Sequence, residues 1–164
     1  CQSLLGTHIT PDYYPEYLED YLHRKVWWSD KWETGKKVFV KPADKYKRFT
    51  GKISYGTYSG KKKPPFWCSE VVTFTNEWRY YVANGKVLDA CWYWGDEVNT
   101  PPAPDLGIVF PSDCCGAIDF GTLPDGRIAL VEYNHPFACG WYGKDISVYM
   151  EWLMHGWEHM RRIL

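Results

Sequence analysis

Asp119, Glu132 and Asn134 are the residues whose types and spacing point most directly to chemistry. Glu132 and Asn134 stand two apart in a run that reads as a strand, and side chains at i and i+2 of a strand share a face. Asp119 lies on the strand before it, which a hairpin would bring alongside. Two carboxylates and an amide oxygen make a hard-oxygen set. Mg²⁺ takes such ligands and completes its shell with water and phosphate oxygens. Polar residues that merely alternate with a buried face would give the same pattern, so these three alone are a weak signal.

Two lysines and one acidic segment extend the pattern. Lys41 closes the apolar run Lys37–Pro42, and Lys47 follows in the stretch KYKRFTG. Lysines at such points can hold phosphates as compact charges, although a single lysine is more commonly just solvated. Between them and the acidic pair lies Phe66-Trp67-Cys68-Ser69-Glu70-Val71-Val72. An apolar stretch with one acid that joins two halves of a fold can receive an adenine. Its backbone would pair with the base edge, and Glu70 would accept from the ribose or the exocyclic amine. The competing reading is an edge strand with one exposed acid. Five histidines form no convincing ligand set. His155 and His159 share a helix face at i, i+4, but the residues between them lack the glutamate placement of the H-E-x-x-H zinc pattern.

The elements that must position these residues follow from the pattern. Tyr14–His23 has helical spacing, with Pro15 in the first turn. Ser29–Gly35 is turn-like. Lys37–Pro42 is a strand that ends at a proline. Residues 43–65 read as strand fragments and loops. Three strands are expected at Trp67–Phe74, Glu77–Ala83 and Val87–Trp94, with Asn84-Gly85 as a type I′ hairpin turn between the last two. A proline-rich loop spans Asn99–Pro104. Strands at Gly116–Phe120 and Ile128–Tyr133 flank Pro124-Asp125-Gly126. An amphipathic helix runs from Ile146 to Leu164, with Asp145 placed to cap it. The expected fold is α+β with mainly antiparallel sheets and a closing C-terminal helix.

The order of these motifs resembles the ATP-grasp superfamily, and within it the small R-two-K clade. The carrying segments are VFVKP with KYKRFTG (38–51), SEVVTFTNEWRYYVANGKVL (69–88) and AIDFGTLPDGRIALVEYNHPFACGWYG (117–143). The likeness covers most of residues 13–143, and its last segment is the most specific. The resemblance implies an ATP-grasp-like fold in two lobes, residues 1–66 with the phosphate lysines and residues 67–164 with the linker and metal site. It implies ATP and Mg²⁺ as cofactors, with Lys41 and Lys47 on the phosphates and Glu70 and Val72 on adenine and ribose. Asp119, Glu132 and Asn134 match the metal ligands. Arg79 aligns with a position typical of the clade and is assigned to phosphate or acyl-phosphate contact. Lys86 is the candidate for the positive charge that an arginine provides in other members. The implied activity is an amide-forming carboxylate–amine ligase acting through an acyl phosphate, on small-molecule or peptide substrates. Gly140-Trp141-Tyr142-Gly143 is either a packed turn or part of the acceptor pocket. The family normally has a further N-terminal domain, and only forty residues precede Lys41 here. The expectation is therefore a fragment, a surface supplied by an oligomer or partner, or a minimal enzyme.

Composition limits the alternatives. Net charge is −1, from 19 basic and 20 acidic residues, which argues against a dedicated nucleic-acid binder. Ten Trp, 13 Tyr and seven Phe supply enough area for a firm core. No run of eighteen apolar residues is present, so no membrane span is expected. None of the six cysteines forms a CxxC pair. Reduced thiols and a cytoplasmic location are expected. A non-catalytic nucleotide-binding module is the alternative function. A basic, aromatic nucleic-acid surface built on Lys36, Lys37, Lys45, Lys47 and Lys61–Lys63 ranks third.

Overall fold

The computed structural model describes residues 10–45, 48–56 and 62–163. Its elements are a short 3-10 helix (Glu16–Tyr21), β1 (Val26–Ser29), β2 (Lys37–Pro42), β3 (Lys52–Tyr55), β4 (Phe66–Ser69), β5 (Asn76–Ala83), β6 (Lys86–Trp94), β7 (Gly116–Thr122), β8 (Ile128–Asn134) and helix α1 (Ile146–Ile163). Two four-stranded antiparallel sheets result, in the orders β1-β4-β2-β3 and β6-β5-β7-β8. The α+β expectation is met.

Residues 70–75 carry the chain from the first sheet to the second, a few positions after the division at 66/67 read from the sequence. Here the strand expected at Trp67–Phe74 stops at Ser69. The Glu70 backbone N–H donates to the Lys25 carbonyl at 3.0 Å, and its carboxylate accepts from the Lys25 N–H at 2.9 Å. This double tie closes the β1–β4 ladder. β1 has no clear signal in the sequence, because its partner is about forty residues away and the run is only four residues long. The helix expected at Tyr14–His23 is a six-residue 3-10 segment, with i to i+3 bonds from Leu18 to Pro15 and from Leu22 to Glu19. His23 ends it at φ +46°.

The first sheet buries Val38, Val40, Phe66 and Cys68 on one face, under Trp32, Trp27 and Phe49. By alternation Lys41 and its cross-strand partner Trp67 stand on the other face. The second sheet is covered on both sides, so β7 is buried along nearly its whole length. One face packs Trp78, Tyr80, Val82, Ile118, Phe120 and Leu130 against Tyr14, Leu18 and Phe110. The other packs Tyr81, Ala83 and Ala117 against Trp152 of α1. That indole is fully buried and donates to the Val82 and Gly116 carbonyls. Asn84 and Gly85 adopt φ +50° and +74°, as a type I′ turn requires. Asp145 caps α1, accepting from the Ser147 N–H at 2.8 Å.

Candidate functional site

α1 covers only one end of its face of the second sheet. The remainder of that face is polar, and it holds most of the residues read from the sequence. Arg79, Asp119 and Glu132 stand in one register row across β5, β7 and β8. Arg79 donates from Nε and Nη2 to the two Asp119 carboxylate oxygens, at 2.8 and 2.7 Å. Both residues are buried, Asp119 at 1% exposure. The bidentate fork fixes both groups in one plane. Lys41 reaches across from β2 and donates to Glu132 Oε2, while Asn134 Nδ2 donates to Glu132 Oε1 at 2.9 Å. An ion pair between the two sheets thus closes the row.

A β-bulge makes this convergence work. Asp119 pairs with Glu132, but the next residue, Phe120, pairs with Leu130, so Val131 is the extra residue. Plain alternation would put Leu130 on the side of Glu132 and Asn134. The bulge instead lets Leu130 join Phe120 and Ile118 in the core while Glu132 turns to Asp119. Re-aiming a side chain is what a bulge does.

The local field is strongly coupled. Burial opposes the charge on Lys41, but Tyr14, Glu132 and Asp119 outweigh it and raise its pKa. Burial likewise opposes the Glu132 charge, and the pull of Lys41 and the Asn134 amide leave that carboxyl below its ordinary value. Burial raises Asp119, against the attraction of Arg79. Arg79 stays charged, since its bonds to Asp119 overcome its desolvation. Glu77, two residues before Arg79 on β5, is raised by burial and by the charges of Asp119 and Glu132. Glu77 is not among the site residues read from the sequence. Its i, i+2 spacing from Arg79 is the signal that it shares this face.

Other sequence-predicted residues fall elsewhere. Glu70 is exposed and Val72 half-buried in the connection between the sheets. Among the described residues, no backbone group of 71–74 bonds to another backbone group. Lys86 is exposed at the β5–β6 turn, and Cys91, not Lys86, pairs with Arg79. Five residues of strand separate them, roughly 16 Å at the usual rise. Lys47 lies outside the described residues. His155 meets Asn84, Glu151 and Glu158. His159 instead lines a cavity of about 140 Å³ with Asn134 and His135. Among the described residues no three His, Cys, Asp or Glu side chains converge as a metal cage, so the hard-oxygen set is two carboxylates and one amide.

The Tyr13 and Tyr14 rings flank the Lys41 ammonium at 4.7 and 5.8 Å, and nothing in the sequence pattern singles them out. A groove of about 680 Å³ lies beyond Tyr14, lined by Val26, Trp28, Ala43 and Trp67. It adjoins the site, but none of Lys41, Asp119, Glu132 and Asn134 lines it.

Comparison with known proteins gives two findings. Residues 21–152 match the family of ATP-grasp domains described as family 2 of the R-two-K clade. The fold is similar to a solved structure titled "Structure of ATP-grasp ligase PsnB complexed with minimal precursor", at TM-score 0.51 and 14% identity. That match covers 85% of this chain and 57% of the other, and at such identity the likeness is one of fold. No curated protein gives a match.

Proposed function

The chain belongs to family 2 of the R-two-K clade of ATP-grasp domains, and from that membership we propose an ATP- and Mg²⁺-dependent carboxylate–amine ligase. The observation that carries the proposal is the row Arg79–Asp119–Glu132, closed from the opposite sheet by Lys41. It gathers cations and hard oxygens on one face between two sheets. The connection 70–75 joins those sheets, and its residues 71–74 make no backbone–backbone bond among the described residues.

ATP would lie between the sheets. Its adenine edge would pair with the free backbone of 71–74, beside Val72, with Glu70 accepting from the exocyclic amine or ribose. Lys41 would exchange Glu132 for phosphate oxygens, and Lys47 would add a second positive charge. The donor set fits Mg²⁺: Asp119 and Glu132 supply carboxylates, and Asn134 spends its N–H on Glu132, leaving the amide oxygen free. Mg²⁺ held there would draw charge off the phosphate oxygens during transfer.

In the first step a substrate carboxylate oxygen bonds to the γ-phosphorus and the bond to the ADP oxygen breaks. An acyl phosphate and ADP result. An amine then attacks the acyl carbon, loses a proton and expels phosphate, leaving an amide. Lys41 and Arg79 supply fixed positive charge as negative charge builds on the transferred group. Such chemistry needs no protein nucleophile. Lys86 takes no part in this reading, because it stands exposed at the far end of β5–β6. The solved ATP-grasp ligase of similar fold is complexed with a minimal precursor, and small-molecule or peptide acids and amines are the substrate class proposed here. An ATP-consuming enzyme with reduced thiols fits the cytoplasm. No helix among the described residues is long and apolar enough to cross a membrane.

Calorimetric titration with ATP, with and without Mg²⁺, tests the nucleotide site, and ADP release with candidate acids and amines tests turnover. Magnesium-dependent binding followed by substrate-stimulated ADP release is expected. Binding without any ADP release would favour the non-catalytic module. Absence of binding by the full-length protein would overturn both readings.

A further inference from the structure

Tyr81 is fully buried, and its hydroxyl lies next to the site without being part of it. Its O–H donates to the Gly140 carbonyl at 3.0 Å and accepts from the Tyr142 N–H at 2.9 Å. One hydroxyl therefore ties down both ends of a three-residue stretch. That stretch in turn holds Arg79. The Gly140 carbonyl also accepts from Arg79 Nη1, at 3.2 Å. The Tyr142 ring lies 5.1 Å from the guanidinium carbon and the Tyr93 ring 5.4 Å from it. The two rings stack on each other at 5.0 Å, so the guanidinium and the rings form a compact triangle. Tyr93 is the extra residue of a bulge opposite Glu77 and Trp78, and its hydroxyl donates to Glu77.

These contacts leave the Arg79 guanidinium little freedom. Its fork grips Asp119, its third nitrogen is bonded to Gly140, and two rings crowd it. A guanidinium with fewer restraints could rotate out of the carboxylate plane and take Asp119 with it. We infer that Tyr81 and Tyr142 are positioning residues: the Tyr81 hydroxyl fixes loop 140–142, and that loop sets Arg79 against Asp119. Neither tyrosine is assigned contact with the reacting groups. The inference rests on the ligase reading only for its consequence, which is an Asp119 held ready for Mg²⁺. The restraint itself is a matter of geometry.

Tyr81→Phe removes the hydroxyl and keeps the buried ring, and Tyr142→Ala removes the jaw from a half-exposed position. Tyr142→Phe keeps the ring face and serves as the rescue. The first readout is the Arg79 Nε–H resonance in a ¹⁵N-edited NMR spectrum of the whole protein, assigned by its loss in Arg79→Lys. A sharp, slowly exchanging signal is expected in the parent and in Tyr142→Phe, and a broadened or shifted one in Tyr81→Phe and Tyr142→Ala. The second is the Mg²⁺ concentration that half-saturates ATP binding, expected to rise about 10-fold or more, as it does when groups supporting a metal ligand are lost. If the Arg79 signal keeps its sharpness in both Tyr81→Phe and Tyr142→Ala, the inference is overturned. If the signal changes as expected but no form binds Mg²⁺ and ATP, the positioning role stands and the ligase reading falls.

Discussion

Glu132 sits at the junction of the two sheets, bonded to Lys41 on one side and Asn134 on the other. Both lysine and glutamate side chains are largely buried, at 10% and 22% exposure. Removing one partner of such a pair strands a charge, at a cost of about 3–5 kcal/mol. Glu132→Gln keeps the shape and an acceptor, so the fold should survive while Mg²⁺-dependent ATP binding drops at least ~10-fold. His155→Ala, at a surface site among Asn84, Glu151 and Glu158, should change neither. Calorimetry of the two variants checks the contrast. The cysteines give a second expectation for single side chains. Cys68 and Cys115 are both buried free thiols. Burial pushes the Cys68 thiol up to about 12 and the Cys115 thiol up to about 11. An unfolded thiol ionises near pH ~8.5. The unfolded state therefore releases these protons first, and the stability they contribute is whole below pH ~8.5 and declines as pH rises towards about 11. Disulfide reagents near pH ~8 should label both thiols only after denaturation. Rapid labelling of native protein would contradict their burial.

Among the elements, α1 is the clearest case of packing overruling propensity. Gly156 lies in its interior, where alanine would ordinarily stabilise a helix by roughly 0.5–1 kcal/mol. A Cβ at that position would meet the Pro136 side chain at 2.6 Å. Pro136 lies two residues beyond the end of β8, so the clash would push against the segment that carries Asn134 and His135. Gly156→Ala should therefore destabilise the protein by about 1–3 kcal/mol, the usual range for overpacking. Urea denaturation measures it, and a gain in stability would show that the helix can shift freely.

Charge divides unevenly between the two halves of the chain. Residues 1–66 hold 13 Lys and Arg against seven Asp and Glu, while residues 67–164 hold six against 13. The near-neutral total thus hides a net +6 half and a net −7 half. A basic N-terminal half and an acidic C-terminal half together would suit a ligand that is itself a polyanion carrying a divalent cation. Mg²⁺ and ATP binding between the sheets would stabilise only the folded state. Ligand at about 100 times its Kd adds about 2.7 kcal/mol, which for a chain of this size corresponds to a rise in Tm of roughly 5–10 °C. Thermal melts should show that rise with Mg²⁺ and ATP together, and a smaller one with ATP alone. Equal melts with and without nucleotide would count against a site between the lobes.

Elements with local causes are legible along the chain. Asn84-Gly85 dictates a turn with two positive φ values, Asp145 caps the closing helix, and Lys37–Pro42 forms the strand its residues specify. That Glu132 and Asn134 share a face, on a strand hairpinned to the one bearing Asp119, is legible too, but the register that sets Glu132 opposite Asp119 depends on the bulge. Features with distant partners are not legible. β1 exists because β4 pairs with it. Lys41 meets Glu132 because two sheets face each other. Val131 bulges so that Leu130 and Glu132, two apart, can serve opposite faces. Arg79 finds Asp119 across a strand pair formed forty residues apart, and the Tyr81 hydroxyl binds both ends of the Gly140–Tyr142 stretch that contacts it. Local preferences involve a few neighbouring dihedrals, so the amino-acid order alone sets them. Long-range pairings are chosen by burial, by the need to satisfy buried charge and by register, and these exist only once the chain has folded.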